Sequence, residues 1–166
     1  ASLTDDVALG EVYQVSEGQD VVINGNGNTL SSTTGNRVIN VDTADNSSVT
    51  VNGLTIDAAD KERAISVYGS DSVELNVNDS DITAKMYAVN IASNAPDAEV
   101  NVENSTVTGW CAIQTWSNSS VINVNNSTLI GNNVYSGTSN SFATIVVNTT
   151  GTNSTLTFKN TRIEAN

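Results

Sequence analysis

Residues 63–84, RAISVYGSDSVELNVNDSDITA, decide the fold, because the rest of the chain repeats their pattern. Ile65 and Val67 flank a single polar residue, Leu75 and Val77 do the same, and Ile82 closes the stretch before Ala84. Apolar residues at i and i+2 put both side chains on one face of a strand, so the stretch reads as three short strands, each with one face turned inward. The next unit, residues 87–109, carries Val89 and Ile91, then Val100 and Val102, then Val107. The one after it, residues 111–131, carries Ile113, then Ile122 and Val124, then Leu129.

Three columns of inward residues follow from lining up the units. One holds Val21 and Ile23, Val49 and Val51, Leu75 and Val77, Val100 and Val102, Ile122 and Val124, Leu156 and Phe158. A second strand precedes the last five of these pairs, anchored at Ile39, Ile65, Val89, Ile113 and Ile145. A third strand follows each pair, marked by Leu30, Ile56, Ile82, Val107, Leu129 and Ile163. Periods of 20–50 residues signify solenoids or propellers, and a propeller blade needs about 40 residues or more. The anchors at Ile39, Ile65, Val89 and Ile113 are separated by 26, 24 and 24 residues, too few for a blade. The expected fold is all-β: a single-stranded parallel β-helix of about 5–6 coils with three strands each, stacked at about 4.8 Å per coil.

Columns outside the core agree with that stacking. Asn76, Asn101 and Asn123 form one, and Asn52, Asn78 and Asn125 another, where amides can hydrogen-bond along the axis. Small residues, Ala58, Ala84, Gly109, Gly131 and Ala165, follow the third strand, as a tight corner requires. Ser80, Ser105, Ser127 and Thr161 precede it, where hydroxyls can satisfy turn backbone groups. The step from Ile113 to Ile145 is 32 residues, which locates an insertion at residues 132–140, NNVYSGTSN. Residues 1–20 show no repeat and are expected to be an N-terminal cap over the helix of residues 21–166. The last anchor lies three residues before the final Asn166, so the chain is expected to continue into a longer protein or to pack on a neighbour.

Composition bounds function by exclusion. Six Lys and Arg against eighteen Asp and Glu give a net charge of −12, a field that repels nucleic acid and anionic membranes. It also repels polyuronates unless metal ions intervene. No run of eighteen apolar residues occurs, so no membrane-spanning helix is expected. There is no His, which removes the commonest general base and metal ligand. Twenty-four Asn and a single Pro fit strands joined by Asn- and Gly-containing turns, and the whole fits a secreted or cell-surface protein.

At VVINGNGNTL, residues 21–30, the chain resembles the opening coil of pectate-lyase-like right-handed β-helix domains in bacterial and archaeal surface proteins. VTVNGLTIDA, LNVNDSDITA, VNVENSTVTG and INVNNSTLIG resemble the degenerate coils of that superfamily. The resemblance covers nearly everything after residue 20 and implies right-handed winding. The same coils carry lyases, hydrolases, tail-spike proteins and adhesins, so the resemblance specifies architecture and not activity. Its lyases use several carboxylates around calcium with an Arg or Lys base, and its hydrolases use clustered Asp. The outward positions of the second-column strands are instead Ala64, Ser66 and Tyr68, Ala88, Asn90 and Ala92, then Ala112, Gln114 and Trp116, none charged. The expected function is a non-catalytic surface module, adhesin-like or a structural stalk, contacting a glycan or another host or cell-surface ligand. The alternative is a fragment of a carbohydrate-active lyase or hydrolase.

Two candidate sites follow. Tyr68, Asn90, Gln114 and Trp116 make an aromatic and amide face suited to stacking on a sugar ring and bonding its hydroxyls. Asp57, Asp60, Asp79 and Asp81, at one corner with Glu62, are the candidate calcium ligands, although Lys61, Arg63 and Lys85 offset their charge and calcium-loop spacing is absent. No catalytic residue is assigned. Cys111 falls on an inward position in register with Arg63 and Tyr87 and reads as a small buried hydrophobe. The eight N-x-S/T triplets follow from composition, and the threonines around Thr106 and Thr108 are interrupted by Asp81, Ile130 and Arg162.

Overall fold

The computed structural model describes residues 1–132, 143–147 and 153–165. Among them lie nineteen strands and no helix, wound as a right-handed parallel solenoid of about five turns with three strands per coil. Every strand pair among the described residues is parallel, and each strand pairs with its equivalent one coil away. Three sheets result. The ladder sheet has six strands, from Asp20–Asn24 to Thr155–Lys159; the platform sheet has six, from Tyr13–Val15 to Ile145–Val147; the corner sheet has seven, from Val7–Leu9 to Arg162–Ala165.

The inward columns stack as the period-2 pattern requires. Val51, Val77, Val102 and Val124 are register partners in sequence along the ladder sheet, and all are buried. Ile56, Ile82, Val107 and Leu129 do the same in the corner sheet, as do Ile39, Ile65, Val89 and Ile113 in the platform sheet. Burying each such aliphatic side chain contributes about 1.5–3 kcal/mol.

Asn and Ser columns hold the coils in register. Asn123 donates to Asn101 and Asn101 to Asn76, each at 3.0 Å. In the second column Asn78 donates to Asn52 and Asn52 to Asn24, but Glu103 stands between Asn78 and Asn125, so this ladder stops at Asn78 and Asn125 is not part of it. The serines run inside the corner. Ser105 Oγ accepts the Ser80 amide at 3.0 Å and Ser127 Oγ accepts the Ser105 amide at 3.0 Å, while each hydroxyl donates to a carbonyl two residues back. The residue before each hydroxyl is left-handed: Asp79, Asn104, Asn126 and Asn160 have φ of 49°, 50°, 47° and 49°. Asn and Asp tolerate that conformation best after Gly, which explains the recurrent Asx-Ser and Asx-Thr steps.

Residues 1–20, expected to carry no repeat, contain two strands of the solenoid. Val7–Leu9 pairs with Thr29–Ser32, and Tyr13–Val15 pairs with Arg37–Asp42. Three-residue strands show one alternation each, too little for the pattern to register in the sequence. Of the insertion at residues 132–140, only Asn132 belongs to the described residues, where its amide donates to the Gly109 carbonyl at 2.7 Å.

Candidate binding pocket on the platform sheet

The outward face of the platform sheet carries one polar column. Asn40, Ser66, Asn90 and Gln114 are successive register partners. They are not open surface, as an outward position on a solenoid would ordinarily be: Asn40 and Asn90 are 5% and 6% exposed, Ser66 is 1% and Gln114 is 0%. Longer side chains starting at the strand ends lean over them. Arg37 donates from Nη1 to Asn40 Oδ1 at 2.8 Å, and Asn40 Nδ2 donates onward to Gln14 Oε1 at 2.9 Å. Tyr87 is buried, with its ring centroid 6.1 Å from that of Trp110, and the Arg63 guanidinium lies 5.7 Å from the Tyr87 centroid.

Tyr68 and Trp116 flank the same face. The Ala92 amide donates to Val67 and the Trp116 amide to Ile91, so Tyr68, Ala92 and Trp116 follow equivalent strand positions on successive coils. Two coil steps separate the aromatic residues by about 9–10 Å along the axis. Both remain substantially exposed, at 48% and 39%. The four residues expected from the sequence, Tyr68, Asn90, Gln114 and Trp116, all line one cavity of about 310 Å³. Arg37 and Arg63 line it too, and among the described residues no carboxylate does.

Gln114 is the feature that stands apart. Both Nε2 and Oε1 are buried without a hydrogen-bond partner among the described residues. Leaving a buried amide unsatisfied costs about 1–3 kcal/mol per group, so the side chain favours any hydroxyl or carbonyl able to reach it. The two arginines were missed in the sequence because Arg63 shares the parity of inward Ile65. Their signal was present nonetheless: Arg37 leads Ile39 as Arg63 leads Ile65, and the two are register partners. Arg63 pairs with Glu62 Oε2 at 2.8 Å, whereas Arg37 makes no ion pair among the described residues. Burial first, and then the adjacent Arg63 charge, pulls Arg37 below its ordinary value, with Asp42 and Glu62 opposing.

The acidic corner does not assemble. Asp57 and Asp81 sit on neighbouring strands, but Asp57 is in register with Thr83 and Asp81 with Thr55. Asp60 is exposed and held below the usual carboxylate range by its hydrogen bond from Lys61 Nζ at 2.8 Å. Asp79 occupies a left-handed turn position. Among the described residues no group of three or more Asp, Glu, Cys or His converges on a common point. Cys111 is fully buried, and that burial pushes its thiol up to about 12, which removes it as a nucleophile at neutral pH.

No family model, curated protein or solved structure matches this chain.

Proposed function

We propose that this chain is a non-catalytic β-helix module of a secreted or cell-surface protein, a rigid stalk that contacts glycans through the pocket between Tyr68 and Trp116. The observation that carries this reading is the buried, unpartnered Gln114 amide beside two exposed aromatic side chains on one hydrogen-bonded sheet. Aromatic surface stacks on the apolar face of a sugar ring, and amides discriminate the positions of its hydroxyls. Arg37, Arg63, Ser66, Tyr68, Tyr87, Asn90 and Gln114 stand on strands, and Met86, Ala92, Ser93 and Trp116 on the residues immediately flanking them, so little ordering accompanies binding. The likeness of the coils to pectate-lyase-like domains of surface proteins supports the same setting. A lyase or hydrolase would need carboxylates at this face, and none lines the pocket.

A glycan array with the purified chain tests the reading. Binding without turnover that is lost in Trp116→Ala, with the thermal transition of the variant unchanged, is the expected result. Depolymerisation of any polysaccharide by the purified chain overturns the non-catalytic assignment, and undiminished affinity in Trp116→Ala overturns the pocket.

A further inference from the structure

We infer that the pocket selects a sugar bearing a single carboxylate, with Arg37 as its partner, over neutral sugars and over polyanionic chains. This rests on the glycan reading above and names its ligand class. In a chain with eighteen acidic and six basic residues, this cavity has two arginines in its lining, while the carboxylates nearest them, Glu62 and Asp42, stand outside the lining. Arg63 is already matched by Glu62, but among the described residues Arg37 makes its hydrogen bond to the neutral Asn40 oxygen and no ion pair, with Asp42 and Glu62 acting at longer range. That bond fixes the guanidinium on the pocket wall while leaving its other N–H groups for an anion. A guanidinium presents its donors in a planar fork that matches a carboxylate. Burial, and after it the close Arg63 charge, raises the cost of leaving the Arg37 guanidinium without an anion of its own.

The size and the wider field set the other half of the selectivity. About 310 Å³ is at the small end of ligand pockets and suits one ring. Outside the pocket the net charge of −12 repels each further carboxylate of a polyuronate, so a lone acidic residue is favoured over a chain of them. The ligand's carboxylate then faces Arg37, its ring lies against Trp116 or Tyr68, and its hydroxyls meet Gln114 and Asn90.

Calorimetric titration of the whole chain tests this with methyl glycosides of glucuronic, galacturonic and N-acetylneuraminic acid, their methyl esters, a sulfated hexoside, methyl glucoside and polygalacturonate. The expected result is at least tenfold tighter binding of one free acid than of its ester. Arg37→Gln is expected to abolish that difference by weakening the acid more than the ester, and Arg37→Lys to restore part of it. Neutral sugars bound as tightly as acids would overturn the inference and leave the glycan reading standing. Tighter binding of the sulfated hexoside or of polygalacturonate would likewise overturn it. No binding of any saccharide would overturn both. If Arg37→Gln lowers the thermal transition, the ester comparison in the unaltered chain still decides.

Discussion

Asn101 donates a side-chain hydrogen bond to Asn76 at 3.0 Å and accepts one from Asn123 at 3.0 Å, so a single amide ties three successive coils together. Replacing it with Ala removes both inter-coil bonds at a half-buried position, along with an exposed bond to Glu99 Oε1 at 3.2 Å. Each net hydrogen bond contributes about 0.5–1.5 kcal/mol, so Asn101→Ala is expected to lower stability by about 1–3 kcal/mol in urea unfolding. Asn125→Ala, outside any such ladder, should cost less.

Ile82 lies in register between Ile56 and Val107 with all three fully buried. Ile82→Ala leaves a cavity in the middle of the corner stack and should cost about 2–5 kcal/mol. Equilibrium denaturation measures it. A loss below 1 kcal/mol would show that the stack collapses around the gap.

Gly109 sits where the chain turns from the corner sheet into the platform sheet. A Cβ there would come 2.7 Å from the Cys111 carbonyl oxygen and 2.8 Å from that of Met86, and both are backbone atoms. Gly109→Ala should therefore destabilise by about 1–3 kcal/mol despite the gain in backbone stiffness. Thermal unfolding reads the difference.

Asn104 holds φ at 50° immediately before Ser105. Asn104→Gly should be neutral within about 1 kcal/mol, and Asn104→Val should cost about 1–2 kcal/mol more, because a β-branched residue resists the left-handed region. Comparing the two melting temperatures isolates the backbone term from the loss of the side chain.

The Cys111 thiol, raised by burial from 9.0 to about 12, makes alkaline stability a signature of the fold. Between those values the unfolded chain has lost the proton and the folded chain still binds it. Stability from this group is therefore full below about pH 9 and falls by about 1.4 kcal/mol per pH unit as pH rises toward 12. Cys111→Ala should flatten that alkaline decline. In the native chain the thiol should resist iodoacetamide at pH 8 and react on unfolding.

The stacks, corners and Asn and Ser columns were legible in the sequence because each depends on residues one coil apart in a regular repeat. Alternation assigns the inward face, and a period near 24 places like on like, so Val51, Val77, Val102 and Val124 could align in only one way. Tyr68, Asn90, Gln114 and Trp116 were likewise placed on one face by parity alone. Tertiary structure decided the rest. The polar column is buried and not open, Arg37 turns outward over Asn40, Glu103 interrupts an amide ladder, and the four corner aspartates do not converge. Backbone register is dictated by a two-residue period that the sequence displays directly. The direction taken by a long arginine, tyrosine or aspartate side chain depends on neighbours that only coiling brings together, and on several rotatable bonds that no periodicity constrains.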